Sequence, residues 1–152
     1  MKVRERVRRA KFVGIIMDGS TDVSVTEQEM VYMRMCDAGR GVDFIGVVAT
    51  PKADAEGIYH SLDKAIGNGL DTDLKTLGSK VVAMGTDGAA VMMGKINGVT
   101  TKVKNAIAPA MVSVHCFAHR LELAIKDVVA RHPRYAELEN LLQTLFKFYK
   151  MR

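Results

Sequence analysis

Hydrophobic and polar positions follow two periods along this chain, and the switches between them outline an α/β protein. Residues 3–11 are helix-compatible. Phe12 to Met17 is apolar throughout, which predicts a central strand over 12–18 covered on both faces and ending at Asp18. Gly19-Ser20-Thr21-Asp22 reads as a turn. Residues 28–36 interleave β-formers with polar side chains, and residues 43–49 make a further strand. The five turn-forming residues 37–41 between them predict an antiparallel hairpin.

Helical spacing dominates from there on. Asp54 is a plausible N-cap for a helix over 55–67, with Ile58, Leu62, Ala65 and Ile66 on one face and Gly67-Asn68-Gly69 closing it. A polar connection leads to a fourth strand, 81–86. The next helix starts near Gly88 and is weakened by Gly94 and Gly98, so a break is expected around Asn97-Gly98. Residues 111–115 are a short fifth strand. Cys116 to about Arg131 is an amphipathic helix that Pro133 breaks. The last segment, with Tyr135, Leu138, Leu142, Leu145 and Tyr149 in phase, has the strongest helical period of the chain.

The order β-β-β-α-β-α-β-α predicts a mixed five-stranded sheet. A right-handed crossover makes the first and fourth strands parallel neighbours. Both end in an aspartate, Asp18 and Asp87, so the two carboxylates are expected side by side on one sheet edge. That edge, at the carboxyl ends of parallel strands, is where open α/β sheets gather ligands.

Composition changes this picture little. With 152 residues, 48% hydrophobic and 26% charged, the chain is of ordinary globular make-up. Its apolar runs are too short to cross a bilayer, and the six residues between Lys11 and Asp18 are too few for a signal peptide, so an intracellular protein is expected. Two cysteines, Cys36 and Cys116, do not make a disulfide framework. Charge is more informative. The net +5 divides into +5 over residues 1–11, −3 over 12–119 and +3 over 120–152. A mildly acidic middle flanked by basic ends suits a metal site beside phosphate-holding surfaces. It equally suits a solvated basic helix end.

The candidate chemistry starts with Asp18 and Asp87. Strand-end carboxylates on adjacent strands, ~4.8 Å apart, can share one hard cation such as Mg²⁺ or Mn²⁺. The plainer alternatives are a helix cap at Asp87 and a turn residue at Asp18. Asp22 is either an outer-shell carboxylate or a turn residue. Gly88 to Lys95 is not a phosphate loop, since Gly88 and Gly94 enclose five residues and Ile96 follows the lysine. Cys116 and His119 share a helix face, but four zinc ligands are not in sight.

Three blocks, FVGIIMDGSTDVSVTEQEMVYMRM, VAMGTDGAAVMMGKINGV and VSVHCFAHRLELAIKD, resemble in order and spacing the ribonuclease H-like core of hAT-superfamily transposases. The branch they resemble is the one found in domesticated zinc-finger proteins. The resemblance spans about residues 10–130 and implies a partial ribonuclease H-like core over 12–132, which lies between the basic helical segment over 1–11 and the amphipathic helix over 133–152 that would lead toward a helical insertion. It makes Asp18 and Asp87 the first two acids of a DDE triad and Mg²⁺ (or Mn²⁺) the cofactor. Cys116, His119 and Arg120 become DNA-binding or site-organising residues. DNA is the implied partner, with homo-oligomers in the intact protein, neither a membrane nor a small-molecule substrate, and a nuclear location.

The family's third acid, a glutamate, lies beyond the insertion. Glu122, Asp127, Glu137 and Glu139 do not match its context. The expectation is therefore a partial catalytic core for metal-dependent DNA cleavage and strand transfer, inactive alone. The alternatives are a domesticated non-catalytic DNA- or protein-binding module and, less well supported, a stand-alone metal-dependent nuclease.

Overall fold

The computed structural model describes residues 2–21, 26–36 and 41–150. It divides into two units, residues 1–116 and 117–152. Asp22 and most of the hairpin loop at 37–41 lie outside the described residues.

The first unit opens with helix α1 (Val3–Arg9), which buries Val7, with Ala10 buried just beyond its end. Its carboxyl end is held by Lys80, whose Nζ donates to Arg8 O at 2.7 Å and Val7 O at 3.3 Å. A cation at a helix C-terminus satisfies carbonyls that have no partner within the helix. Strands β1 (Val13–Thr21), β2 (Glu27–Met35) and β3 (Asp43–Thr50) follow as an antiparallel meander. Strands β4 (Val81–Thr86) and β5 (Val112–His115) add in parallel, giving one mixed five-stranded sheet of order β3-β2-β1-β4-β5.

Two expectations about β1 change. Gly19 to Thr21 are not a turn but continue the strand, pairing with Glu29, Gln28 and Glu27 of β2. Nor is the strand covered on both faces. The buried residues of the two central antiparallel strands fall on one phase of each: Val13, Ile15 and Met17 on β1, Val31, Met33 and Met35 on β2. Ile16 on the other phase of β1, and Phe44, Val47, Val82 and Val114 on the remaining strands, are exposed. Continuous hydrophobicity predicts an apolar strand, and here only one side of it meets a core.

Helix α2 (Ala55–Leu70) covers the buried face, contributing Ile58, Leu62, Ala65 and Ile66 as its spacing predicts. Asp54 is its N-cap, accepting from Gly57 N at 2.8 Å. The helix does not stop at Gly67. It runs to Leu70 and closes at Asp71, a left-handed residue (φ 57°) whose N–H donates to Gly67 O. Inside the helix, Gly69 lets the Ile45 carbonyl of β3 come within 2.3 Å of where a Cβ would stand. A close approach to the sheet, not a helix end, accounts for that glycine.

The connection to β4 holds a short helix, α3 (Leu74–Leu77), and a 3₁₀ turn. After β4 the expected break is present: α4 (Ala90–Met93) ends before Gly94, and α5 (Val99–Ala106) starts after Gly98.

The second unit consists of α6 (Phe117–Val129) and α7 (Pro133–Lys150). Pro133 occupies the first position of α7, where a missing N–H costs nothing. Apolar residues of both helices, including Leu121, Ile125, Leu138 and Leu142, are exposed. Among the described residues no helix is long and apolar enough to cross a membrane.

Candidate functional site

The sheet order makes β1 and β4 parallel neighbours, paired through Ile15↔Met84 and Ile16↔Gly85. Asp18 and Asp87 each stand two residues beyond that last pair, Asp18 within β1 and Asp87 just past the end of β4. Parallel pairing stops there because β4 ends at Thr86, while β1 runs on along β2 alone. Asp18 is exposed and lies opposite Met30. Asp87 is half-buried, and its Oδ1 accepts from Ala89 N at 3.0 Å. That bond closes the turn and does not cap a helix, since the N-cap of α4 is Ala89, which makes no side-chain cap bond.

The turn after Asp87 is made by Gly88, the one glycine with positive φ (84°) among the described residues. The His115 imidazole of β5 packs where its Cβ would be, with Nε2 2.3 Å from that position. Any side chain at residue 88 would meet both obstacles. Thr86, just before Asp87, is 1% exposed, and its Oγ1 has no hydrogen-bond partner.

One acid of this edge was not among the candidates read from the sequence. Glu29 sits on β2 directly opposite Gly19 and is only 2% exposed. Its carboxylate oxygens lie 3.2 and 3.3 Å from where a Gly19 Cβ would stand, and Oε2 has no hydrogen-bond partner. Burial raises its pKa to about 7, and the negative charges of Glu27, Asp87 and Asp18 add to the rise. The signal was present in the strand's alternation. Glu29 is in phase with Val31, Met33 and Met35, so it occupies a buried position where a carboxylate is out of place.

Among the described residues no group of three His, Cys, Asp or Glu forms a ready-made metal cluster. Cys116 is exposed at the end of the first unit, its N–H donating to Thr86 O at 2.7 Å. His119 and Arg120 lie on α6 in the second unit. There His119 Nδ1 is 3.5 Å from Glu122 Oε2, and Lys126 pairs with the same carboxylate at 2.6 Å. The Lys126 hydrogen bond is the main cause that holds the Glu122 carboxyl below its ordinary range. Glu122 is therefore committed to neighbours on its own helix.

Residues 1–98 match the family described as the ZMYM1/FAM200, RNase-like domain, and the chain belongs to that family. The matched segment includes Asp18, Glu29 and Asp87, and the mixed sheet is that of an RNase-like domain. The match supports a relationship to domesticated transposases.

Proposed function

We infer that this member of the ZMYM1/FAM200 RNase-like family derives from the catalytic core of an hAT-type DNA transposase, and that its Asp18–Asp87 edge binds a hard divalent cation. The observation that supports this reading is the parallel pairing of β1 with β4, whose last pair, Ile16 and Gly85, lies two residues before each aspartate. The donor chemistry fits. Both groups offer carboxylate oxygen, the ligand type Mg²⁺ and Mn²⁺ prefer, and a buried carboxylate oxygen without a donor lies at the same edge.

Asp18 and Asp87 would hold the ion. Such an ion stabilises charge developing on a phosphodiester and lowers the pKa of bound water. The chain's own contribution is orientation: the Ala89 N–H fixes one oxygen of Asp87, and the Gly88 turn packed on His115 fixes its backbone. DNA is the substrate class this implies, and the nucleus the corresponding location.

The test is a Mg²⁺ or Mn²⁺ titration by calorimetry on the wild type and on Asp18→Asn/Asp87→Asn. Saturable binding lost in the double variant is the expected result. Equal heats in both proteins would remove the reading.

A second reading, a domesticated non-catalytic DNA-binding module, is favoured by the lack of a preformed three-acid cluster among the described residues. Under it the basic residues carry the function. Deleting residues 1–11 is a poor test, because Val7 and Ala10 belong to the core. Arg8→Ala/Lys11→Ala, both at exposed positions, is cleaner. Salt-dependent DNA binding weakened by that pair, and unchanged without the two aspartates, would favour this module.

A further inference from the structure

We propose that a phosphate group binds in the cleft between α1 and the end of α2, a site separate from the Asp18–Asp87 rim and independent of how that rim is read. The cleft holds about 210 Å³, lined by Arg4, Arg8, Lys80 and Asp71, with buried Val7 and Leu77 among its walls. Three cations therefore share it with one carboxylate. Asp71 is exposed and stands 3.6 Å from Arg4, so it neutralises little. Like charges gathered around one small space repel, and an anion from solvent offsets that repulsion.

Donors are in excess there. Arg4 Nε donates to Gly69 O at 3.1 Å, and Lys80 Nζ to Arg8 O at 2.7 Å and Val7 O at 3.3 Å. Carbonyls at the ends of α2 and α1 thus account for the placement of both cations. They do not exhaust them, since an ammonium has three donors and a guanidinium five. Arg8 has no such account: its guanidinium has no hydrogen-bond or ion-pair partner among the described residues. Two cations held in place with N–H groups to spare, beside a third that is free, make a preorganised anion site. Size and place narrow the ligand. The cleft is smaller than the roughly 300–1,000 Å³ of sites that enclose whole small molecules, so it takes a phosphate group and not the nucleoside attached to it. Val81, next to Lys80, pairs with Val13, and Asp18 stands five residues further along β1, roughly 16 Å away at the rise of a strand. A phosphate held in this cleft is out of reach of the two aspartates. A nucleic-acid backbone and a free phosphate share the chemistry that the cleft recognises.

The experiment is a calorimetric titration of the whole chain with inorganic phosphate at constant ionic strength. Wild type, Arg8→Gln, Arg4→Gln and Lys11→Gln are compared, each checked for folding by circular dichroism. Lys11 is exposed on the same basic segment and does not line the cleft, so its variant removes an equal charge from outside the site. Saturable binding is expected in the wild type and in Lys11→Gln, and binding about tenfold or more weaker in Arg8→Gln. Arg4→Gln is expected to weaken binding as well, and it takes the place of Arg8→Gln if that variant does not fold. No saturable binding by the wild type, wild-type affinity in Arg8→Gln, or an equal loss in Lys11→Gln would each overturn the site. A short DNA duplex added to the phosphate-saturated protein identifies the source. Release of the phosphate makes a nucleic-acid backbone the ligand, and retention makes it a free phosphate or phosphate ester, with the cleft standing in both cases. Asp18→Asn/Asp87→Asn is expected to bind phosphate as the wild type does, so failure of the cleft leaves the reading of the aspartate rim untouched.

Discussion

The guanidinium of Arg6 meets the carboxylate of Asp43 across 37 residues of sequence, tying α1 to the first residue of β3. Both side chains are about four-fifths buried, at 18% and 19% exposure. Removing either partner leaves the other charge poorly solvated, so Arg6→Ala or Asp43→Ala is expected to cost about 1–3 kcal/mol. Denaturant unfolding measures it. The double variant should cost less than the sum of the singles, and strict additivity would show that the two groups do not act as a pair.

Stability should also fall as pH rises through Glu29's titration. Its ordinary value is 4.5 and its folded value about 7, so the folded state binds the extra proton between those limits. The proton is favoured in the folded state, which makes stability highest below about pH 4.5 as far as this group is concerned. Stability is lost progressively up to pH 7, by roughly 3 kcal/mol at most for a shift of this size. Metal-free Glu29→Gln should flatten that part of the profile. A wild-type melting temperature rising steadily between pH 5 and 7, with Glu29→Gln parallel to it, would contradict the buried carboxylate.

Two glycines in α2 should respond to alanine with opposite signs. A Cβ at Gly67 would meet only the Thr72 carbonyl oxygen at 3.8 Å, an ordinary contact. Gly67→Ala is therefore expected to stabilise by about 0.5–1 kcal/mol through helix propensity. At Gly69 the Ile45 carbonyl oxygen stands 2.3 Å from the new atom, so helix or strand must shift and the variant is expected to destabilise. Thermal melts of the pair decide the matter. A stabilising Gly69→Ala would mean that α2 does not lie this close to β3.

Asp71 closes α2 with φ 57°, a conformation glycine adopts without penalty. Asp71→Gly should be neutral or stabilising by up to about 1 kcal/mol, and Asp71→Val should destabilise. The Arg4–Asp71 ion pair, at 3.6 Å between exposed side chains, adds little against this. Loss of stability in Asp71→Gly comparable to that in Asp71→Val would show that the side chain, not the backbone, matters here.

Much of the frame was legible from residue pattern. The apolar runs before Asp18 and Asp87, and the handedness of crossovers, were enough to make β1 and β4 neighbours. Local chemistry misled where a residue served the tertiary structure. Gly67-Asn68-Gly69 has the composition of a helix end, yet Asp71 closes the helix and Gly69 serves the approach of Ile45. Glu29 reads locally as one more polar position of β2, and only its phase with Val31 and Met33 puts it on the covered face. For β1, apolar side chains state a demand for burial, and Ile16 shows that the demand need not be met on both sides.

The juxtaposition of Asp18 and Asp87 has a consequence for how the molecule holds together. The β1–β2–β3 meander can pair without β4, but the rim that bears both acids exists only once β4 has docked on β1. Anything captured there would draw its binding energy from the docked state alone and lend it back as resistance to opening. Occupancy at that rim would then act as a latch on the seam between the two halves of the sheet. Protection of the β4 amides against hydrogen exchange should rise with divalent ion concentration, while that of β3 changes less.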